Sequence, residues 1–421
     1  MAGDIYSALE GEKAREVFGR LCVPYKEGRE RCERLLRGFE SAFGRPAEAL
    51  FSAPGRTEIG GNHTDHENGC VLAGSVNLDV LAAAAPNGKS EINFISEGFG
   101  TISVNLSELE PKARELNTSE ALVRGVAARF KQLGLECAGF DAYSVSNVLS
   151  GSGLSSSAAF EVMLGTILNG LFNDGKIDPV LIAQIGQYAE NNYFGKPCGL
   201  LDQMACSVGG AVFMDFRDTK NPLFEPLDFD FSLFGHELCI IDSGADHADL
   251  TDEYSAITGE LDAVCAYFGK EVLREVSRED FERELPALRK LAGDRAVLRA
   301  YHIYEENERA LAQKQALPAG DFEGFLRLVS ESGRSSFMYL QNVVPTGSVK
   351  AQEVAFALSL CERLLKGRGA FRVHGGGFAG TVQAFVPHDM AEDFKAEIER
   401  VLGAGSCYVL QIRPLGGARL F

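Results

Sequence analysis

The sequence predicts an α+β protein built as two lobes, and three observations carry that expectation. At 421 residues the chain is too long for one ordinary compact core and fits two, or at most three, packed units. Its first half alternates β-rich segments with strong helical patterns. A strand-like run then gives way to the turn-rich RDTKNP, beyond which helices and strands alternate again, so the lobes are expected at 1–218 and 219–421.

In the first lobe, strands are expected at Ala49–Ala53, Ser75–Ala85, Glu91–Ile95 and Phe140–Val148. The helix after GLSSSAA rests on Phe160, Met163, Leu164, Ile167, Leu168 and Leu171, which recur at spacings of three and four and make one apolar face. A second helix runs from about Asp178 to Asn192 and is ended by Gly195 and Pro197. GGAVFMDF, Gly209–Phe216, reads as a strand. The second lobe opens with a strand at Leu238–Asp242 and a helix after Asp249. A long helix starts at Asp294, with Val297, Tyr301, Tyr304 and Leu311 on one face. Strands at Ala370–Val373 and Thr381–Val386, a helix over Met390–Val401 and a strand at Cys407–Gln411 complete the unit. No internal repeat or low-complexity tract interrupts this order.

With 45% hydrophobic and 24% charged residues, the composition is that of a globular protein. The formal net charge of −18 repels phosphate backbones and anionic membranes, so neither nucleic acid nor lipid is an expected partner. An anionic nucleotide can still be held where backbone N–H groups, a cation and a basic residue converge. The first twenty residues, MAGDIYSALEGEKAREVFGR, lack the apolar core of a secretory signal, and no apolar run reaches membrane-spanning length. Ten cysteines are scattered without a C-x-x-C, which suits reduced thiols in the cytoplasm rather than a disulfide framework or zinc site.

Three glycine-rich stations concentrate the polar chemistry. Val148-Leu-Ser-Gly151-Ser152-Gly153-Leu154-Ser155-Ser156-Ser157-Ala-Ala159 lies between a strand pattern and a helix pattern, where unpaired helix-start N–H groups, glycines and three hydroxyls suit phosphates and a magnesium ion. A bare turn and N-cap is the alternative. Neither a Rossmann fingerprint nor a Walker loop fits, because Ser156 stands where a third glycine belongs and no G-x-x-x-x-G-K-[ST] occurs. The second station, Ala53-Pro-Gly-Arg56-Thr-Glu-Ile-Gly60-Gly61-Asn62-His63-Thr64-Asp65-His66, carries more polar function than a connecting loop needs. A surface turn or a His63/His66 metal site are the alternatives, and recognition of a hydroxyl-rich ligand fits better. The third, Arg372-Val-His374-Gly375-Gly-Gly377-Phe-Ala-Gly380-Thr-Val, leads into a strand and alone could be a turn.

Three such stations in this order resemble the GHMP family of small-molecule kinases. AFGRPAEALFSAPGR, GNHTDHENG, FGKPCGLLDQMA and the run Tyr301 to Arg309, YHIYEENER, are similar to stretches of its galactokinase branch. The resemblance extends from about residue 40 to the terminal GGARLF. It implies a first lobe like ribosomal protein S5 domain 2 and a second with a ferredoxin-like core, the site lying between them. It also implies ATP-dependent phosphorylation of the anomeric hydroxyl of galactose by a monomer or weak homo-oligomer. By the same resemblance Gly151, Ser152, Gly153, Leu154, Ser155, Ser156 and Ser157 take the nucleotide phosphates, Ser157 with Glu190 takes Mg²⁺, and Ser96 of FISEG reaches the nucleotide. Asp202 becomes the general base and Arg56 the guanidinium beside it and the transferring phosphoryl group. Asn62, His63, Thr64, Asp65, Gly199 and Tyr254 are expected around the sugar.

Galactokinases usually read G-E-H-T-D-Y where this chain has Gly61-Asn62-His63-Thr64-Asp65-His66, and an arginine three residues after the Tyr254 position is here Ile257. If position 62 faces C6 of the sugar, as the resemblance implies, an amide there admits a substrate altered at C6 such as galacturonate. A kinase for another galacto-configured sugar such as N-acetylgalactosamine is a further rival. A non-catalytic sugar and ATP sensor is a further alternative, set against the intact Ser155–Ala159, Glu190, Asp202 and Arg56.

Overall fold

Two segments, β1 (Ala49–Gly60) and β2 (Cys70–Pro86), are buried along almost their whole length because both faces of their sheet are covered. Alternate side chains divide between the two sides. Ala49, Phe51, Ala53, Ala82 and Ala84 join the core beneath the helix Ser156–Phe172, whereas Leu50, Leu81, Ala83 and Ala85 pack with Leu35, Leu36 and Phe39 of the N-terminal helix Tyr25–Phe43. The computed structural model describes residues 5–148, 153–196, 198–219, 221–229, 231–245, 250–378 and 380–421.

The remaining strands of this sheet are β3 (Glu91–Ser96), β4 (Thr101–Asn105), β5 (Phe140–Ser146), β6 (Ala211–Asp215) and β7 (Leu223–Leu227). A second sheet holds β8 (His236–Asp242), β9 (Ala370–His374), β10 (Thr381–Pro387) and β11 (Cys407–Leu410), before β12 (Ala418–Arg419) returns to the first. The first sheet runs β12-β1-β2-β5-β3-β4, and the long β2 splits its pairing, Cys70–Gly74 with β6 and Val80–Pro86 with β5. The second runs β11-β8-β10-β9, all antiparallel. With helices crossing from β8 to β9 and from β10 to β11, this is the split βαβ order of a ferredoxin-like core. β7 and β12 join the first sheet from beyond residue 218, so sheet membership does not follow that point in the chain.

Two sequence expectations change in the fold. The helix Ser156–Phe172 is buried around most of its circumference, Glu161, Thr166 and Asn169 included, where one apolar face was expected. It lies against β1 and β2 while the helices Ser119–Gln132, Pro179–Ala189 and Leu201–Val208 close its other sides. In the long helix Asp294–Ala316, Leu311 is exposed and off the expected face. The helix instead buries the polar stripe Arg299, His302, Glu306, Arg309 and Gln313.

Candidate active site

The three glycine stations meet. β1 carries two irregularities of register, between Pro54 and Arg56 and between Glu58 and Gly60, so the APGR run continues the strand where breakers would otherwise end it. The backbone N–H of Arg56 donates to Leu154 O (3.1 Å), and its guanidinium Nη1 donates to Gly153 O, fixing the second station to the first. Gly153 has φ +70°, and a Cβ there would come within 2.8 Å of Thr381 Oγ1 and 3.0 Å of His374 Nδ1. That glycine is needed for the phosphate loop to lie against the third station.

His374 joins the stations through a defined tautomer. The Glu58 backbone N–H donates to its Nε2 (3.2 Å), with Thr57 Oγ1 at 3.1 Å, leaving Nδ1 to donate to Thr381 Oγ1 at 2.9 Å. Burial, with Arg56 and Arg372 nearby, holds this imidazole neutral, well below its ordinary pKa. His63, itself at φ +60°, places Nε2 3.0 Å from Gly376 O. Its pKa is pushed down to about 4 by burial and by His66.

Arg56 Nε donates to Asp202 Oδ1 at 2.7 Å, and Ser155 Oγ donates to Asp202 Oδ2. Ser155 holds φ +54° as the residue before the helix Ser156–Phe172, so this strained position aims its hydroxyl at the carboxylate. Burial pushes the Asp202 carboxyl up, but Arg56, Ser155 and Lys196 outweigh it and leave the group below the ordinary carboxylate range. Asp202 is therefore an ionised carboxylate with both oxygens oriented.

On the other side of Asp202, the helix Pro179–Ala189 passes into a π turn, Glu190–Phe194. Such turns occur preferentially at functional sites. Ser157 Oγ lies 3.4 Å from Glu190 Oε1, and Lys196 Nζ lies 3.5 Å from the same oxygen. Gln203 Nε2 donates to Glu190 Oε2 (2.8 Å) and to Glu161 Oε2 (3.0 Å), tying two buried carboxyls together. Burial and Glu190 raise the Glu161 pKa well above the ordinary value, which favours the neutral acid there. Among the described residues, no cluster of three or more His, Cys, Asp or Glu side chains forms a metal site. Ser157 and Glu190 offer hard oxygen donors, which suits Mg²⁺.

The expected sugar residues divide. A half-open cleft of about 250 Å³ is lined by Asp65, His66, Gln187, Cys198, Gly199 and Leu200. The Asp65 carboxylate has no hydrogen-bond donor among the described residues, with only His66 Nε2 at 3.9 Å. Gly199 lies against it, since a Cβ there would come within 2.7 Å of Asp65 Oδ2. Thr64 is buried, and its hydroxyl is used on Gly61 O (2.9 Å) and Cys70 O (2.7 Å). The Tyr254 phenol donates to Gly377 O (3.0 Å), and its ring packs on Phe378. Ile257, at the position of the absent arginine, is buried in the apolar cluster beside Tyr254.

Asn62, expected to face the sugar, is fully buried and has its amide occupied by the protein. Its Nδ2 donates to Gly375 O (2.7 Å) and Glu58 Oε1 (3.1 Å), while Oδ1 accepts from Asn342 Nδ2 (3.1 Å) and Ser336 Oγ (3.5 Å). Ser96 sits at the end of β3 with its hydroxyl 3.1 Å from that of Ser144 on β5, the strand leading to the phosphate loop. Leu154 is buried, and Ser156 and Ser157 are partly exposed at the helix start. Gly151 and Ser152 lie outside the described residues.

Sequence reading missed a buried polar group that supports the turn at residues 60–62. Glu306 Oε1 accepts from the N–H of Gly61 (3.2 Å) and Asn62 (3.3 Å) and from Ser332 Oγ (2.7 Å), and His302 Nε2 donates to Asn62 O (3.0 Å). Arg372 pairs with Glu58 and lies 3.6 Å from Glu306. The available signal was the YHIYEENER run itself, whose charged residues recur at helical spacing.

The similarity to known proteins follows this geometry. A family model of the galactokinase galactose-binding signature matches residues 37–86, and one of the GHMP kinase N-terminal domain matches residues 121–210. The galactokinase of Lacticaseibacillus paracasei is 32% identical over 407 residues, 91% of this chain and 98% of that protein. That of Streptococcus mutans is 29% identical over 402 residues, 92% and 98% of the two chains. A crystal structure of Lactococcus lactis galactokinase complexed with galactose matches with a TM-score of 0.77 at 28% identity, covering 92% of this chain and 99% of that one. Methanococcus jannaschii mevalonate kinase shares the fold, with a TM-score of 0.59 at 13% identity, covering 86% and 98%.

Proposed function

The chain belongs to the galactokinase family, and from that premise we propose that it transfers the γ-phosphoryl group of ATP to the anomeric hydroxyl of galactose, giving galactose 1-phosphate and ADP. The observation that carries this reading is the joint between Arg56 and Asp202, in which β1, the phosphate loop and the helix Leu201–Val208 meet at one ionised carboxylate. The γ-phosphorus–oxygen bond to ADP breaks as the sugar oxygen bonds to phosphorus, and the hydroxyl proton passes to Asp202. A carboxylate with a depressed pKa is a weak base, so its chief work is to orient the hydroxyl, with proton transfer late in a loose transition state. Arg56 offsets charge on the phosphoryl oxygens and holds Asp202 in line.

ATP is the co-substrate, and residues 151–157 at the start of the helix Ser156–Phe172 would cradle its phosphates. Ser157 and Glu190 would hold Mg²⁺, which neutralises phosphate charge when bound. Asp65 is the acceptor for neighbouring ring hydroxyls, with His63 beside it and Gly199 keeping the approach open. Both ligands lie between lobes divided in sequence near residue 218. No helix among the described residues is long and apolar enough to cross a membrane. No disulfide joins the ten cysteines, which suits a reducing compartment, so we place the protein in the cytoplasm, as a monomer or weak homo-oligomer.

A coupled ATP-consumption assay across galactose, N-acetylgalactosamine, galacturonate, glucose and arabinose tests the reading. Galactose should give the highest kcat/KM. A higher value for another of these sugars, or turnover with none, overturns it.

A further inference from the structure

Asn62 cannot read the substrate in this chain. Both Nδ2 protons and both Oδ1 lone-pair positions are used within the protein, and the residue has no exposed surface. The neighbour that receives one of those protons is a carboxylate. Glu58 Oε1 is held by Asn62 and by the buried Arg372. Its other oxygen, Oε2, has no hydrogen-bond partner among the described residues, although 93% of the residue's surface is covered. Oε2 is also absent from the fully enclosed oxygens that lack a partner, so the small exposed fraction leaves it open to a ligand.

The strand fixes where that oxygen lies. Arg56, Thr57 and Glu58 pair in unbroken register with Ser75, Gly74 and Ala73, so Arg56 and Glu58 share a face of β1. Arg56 marks the reacting end through Asp202. Two residues along a strand cover roughly 6–7 Å, about the width of a pyranose ring. The backbone of Glu58 therefore lies about one sugar-width along β1 from that of Arg56. Burial raises the Glu58 carboxyl pKa against the pull of Arg372 and Arg56, so the group gains from a hydroxyl partner at its unbonded oxygen.

We propose that Glu58 is a specificity-determining residue whose free carboxylate oxygen bonds a sugar hydroxyl remote from the anomeric carbon, at C4 or C6, while Asn62 holds that carboxylate in place. This rests on the galactose reading above. The carboxylate that the resemblance leads one to expect at position 62 is supplied four residues earlier. A residue-62 carboxylate would stand directly against Glu58 Oε1, so the amide at 62 follows from the carboxylate at 58. A C6 carboxylate on the substrate would meet Glu58 directly, so the chain should reject galacturonate rather than accept it.

The test compares kcat/KM for galactose, 4-deoxygalactose and 6-deoxygalactose in wild type, Glu58→Gln and Asn62→Ser, with the unfolding midpoint of each. Glu58→Gln should lose at least tenfold with galactose and less than threefold with whichever deoxy sugar lacks the bonded hydroxyl. Asn62→Ser, which removes the support without touching the sugar, should lower the unfolding midpoint and shift the ratio of galactose to the same deoxy sugar in the direction that Glu58→Gln does, by a smaller factor. If Glu58→Gln does not fold, Glu58→Asp, which keeps the charge for Arg372 but withdraws the carboxylate, is read in the same way. Equal losses on all three sugars, or a tenfold shift of ratio at residue 62 with none at 58, overturn the proposal. Wild type inactive on galactose overturns the functional reading instead, before any variant is measured.

Discussion

Arg56 Nε and Asp202 Oδ1 stand 2.7 Å apart, joining a bulged strand to the first turn of a short helix across 146 residues of sequence. Neither side chain serves an apolar core, and each has a second bond into the phosphate loop, Arg56 to Gly153 and Asp202 from Ser155. Asp202→Asn and Arg56→Ala should therefore each lower kcat at least 100-fold while circular dichroism and ATP binding stay close to wild type. The Asn variant keeps the shape and loses the charge, so it separates base and electrostatic work from packing. Turnover within threefold of wild type would remove the residue from the mechanism.

The carboxyls tied by Gln203 should respond differently to the same change. Glu190 faces Ser157 and the cation position, whereas burial raises the Glu161 pKa and favours its neutral form. Glu190→Gln should raise the Mg²⁺ concentration for half-maximal rate at least tenfold, and excess chelator should abolish wild-type activity. Glu161→Gln replaces a neutral acid by a neutral amide of like shape, so its rate and Mg²⁺ dependence should change less than threefold. Equal Mg²⁺ dependence in the two variants would place the cation elsewhere.

His302 sets a pH signature in stability. Burial drives its pKa down to about 4, and its bonds to Asn62 O and Ser335 Oγ fit a neutral ring. The unfolded chain takes up the proton near pH 6.5 and the folded one only near 4. The depressed folded value means that the stabilisation is complete above pH 6.5 and is lost as pH falls toward 4. His302→Gln should thus show its largest deficit in unfolding free energy above pH 6.5, shrinking toward pH 4. A deficit independent of pH in denaturant titrations would contradict a neutral buried ring.

Much of the frame could be read from periodicity, because β8, β10 and the helix Ser156–Phe172 are apolar runs with local signals at their ends. β1 was expected to stop at Ala53, since Pro54, Gly55 and Gly60 read as breakers, yet two bulges carry the strand to Gly60. The helix Tyr25–Phe43 did carry a signal, with Cys32, Leu35, Leu36 and Phe39 spaced for one face. The burial of Glu58, His302, Glu306 and Arg372 was hidden for another reason. They are buried by pairing with one another from segments some 240 to 310 residues apart, and a charged residue alone in a sequence reads as exposed. The three stations marked the site, but which of their side chains face a ligand depended on partners that only the fold brings in.

Gly199 offers a last test, on the sugar side of the site. It has no side chain where Asp65 Oδ2 projects, and a methyl group at that position would press within 2.7 Å of the carboxylate oxygen. The neighbouring backbone is tied down, because Cys198 N donates to Asn191 Oδ1 at 2.7 Å, so the loop cannot retreat freely. The strain would fall on Asp65, which has no hydrogen-bond donor among the described residues to hold it and would rotate out of the cleft. Gly199→Ala should accordingly raise the KM for galactose at least tenfold and leave the KM for ATP within twofold, since the phosphate loop does not share this contact. Asp65→Asn should reproduce the same split without a steric cause. A rise in both KM values together would mean that the substitution disturbs the helix Leu201–Val208 and Asp202 behind it, and Asp65 would lose its place as the acceptor for the ring hydroxyls.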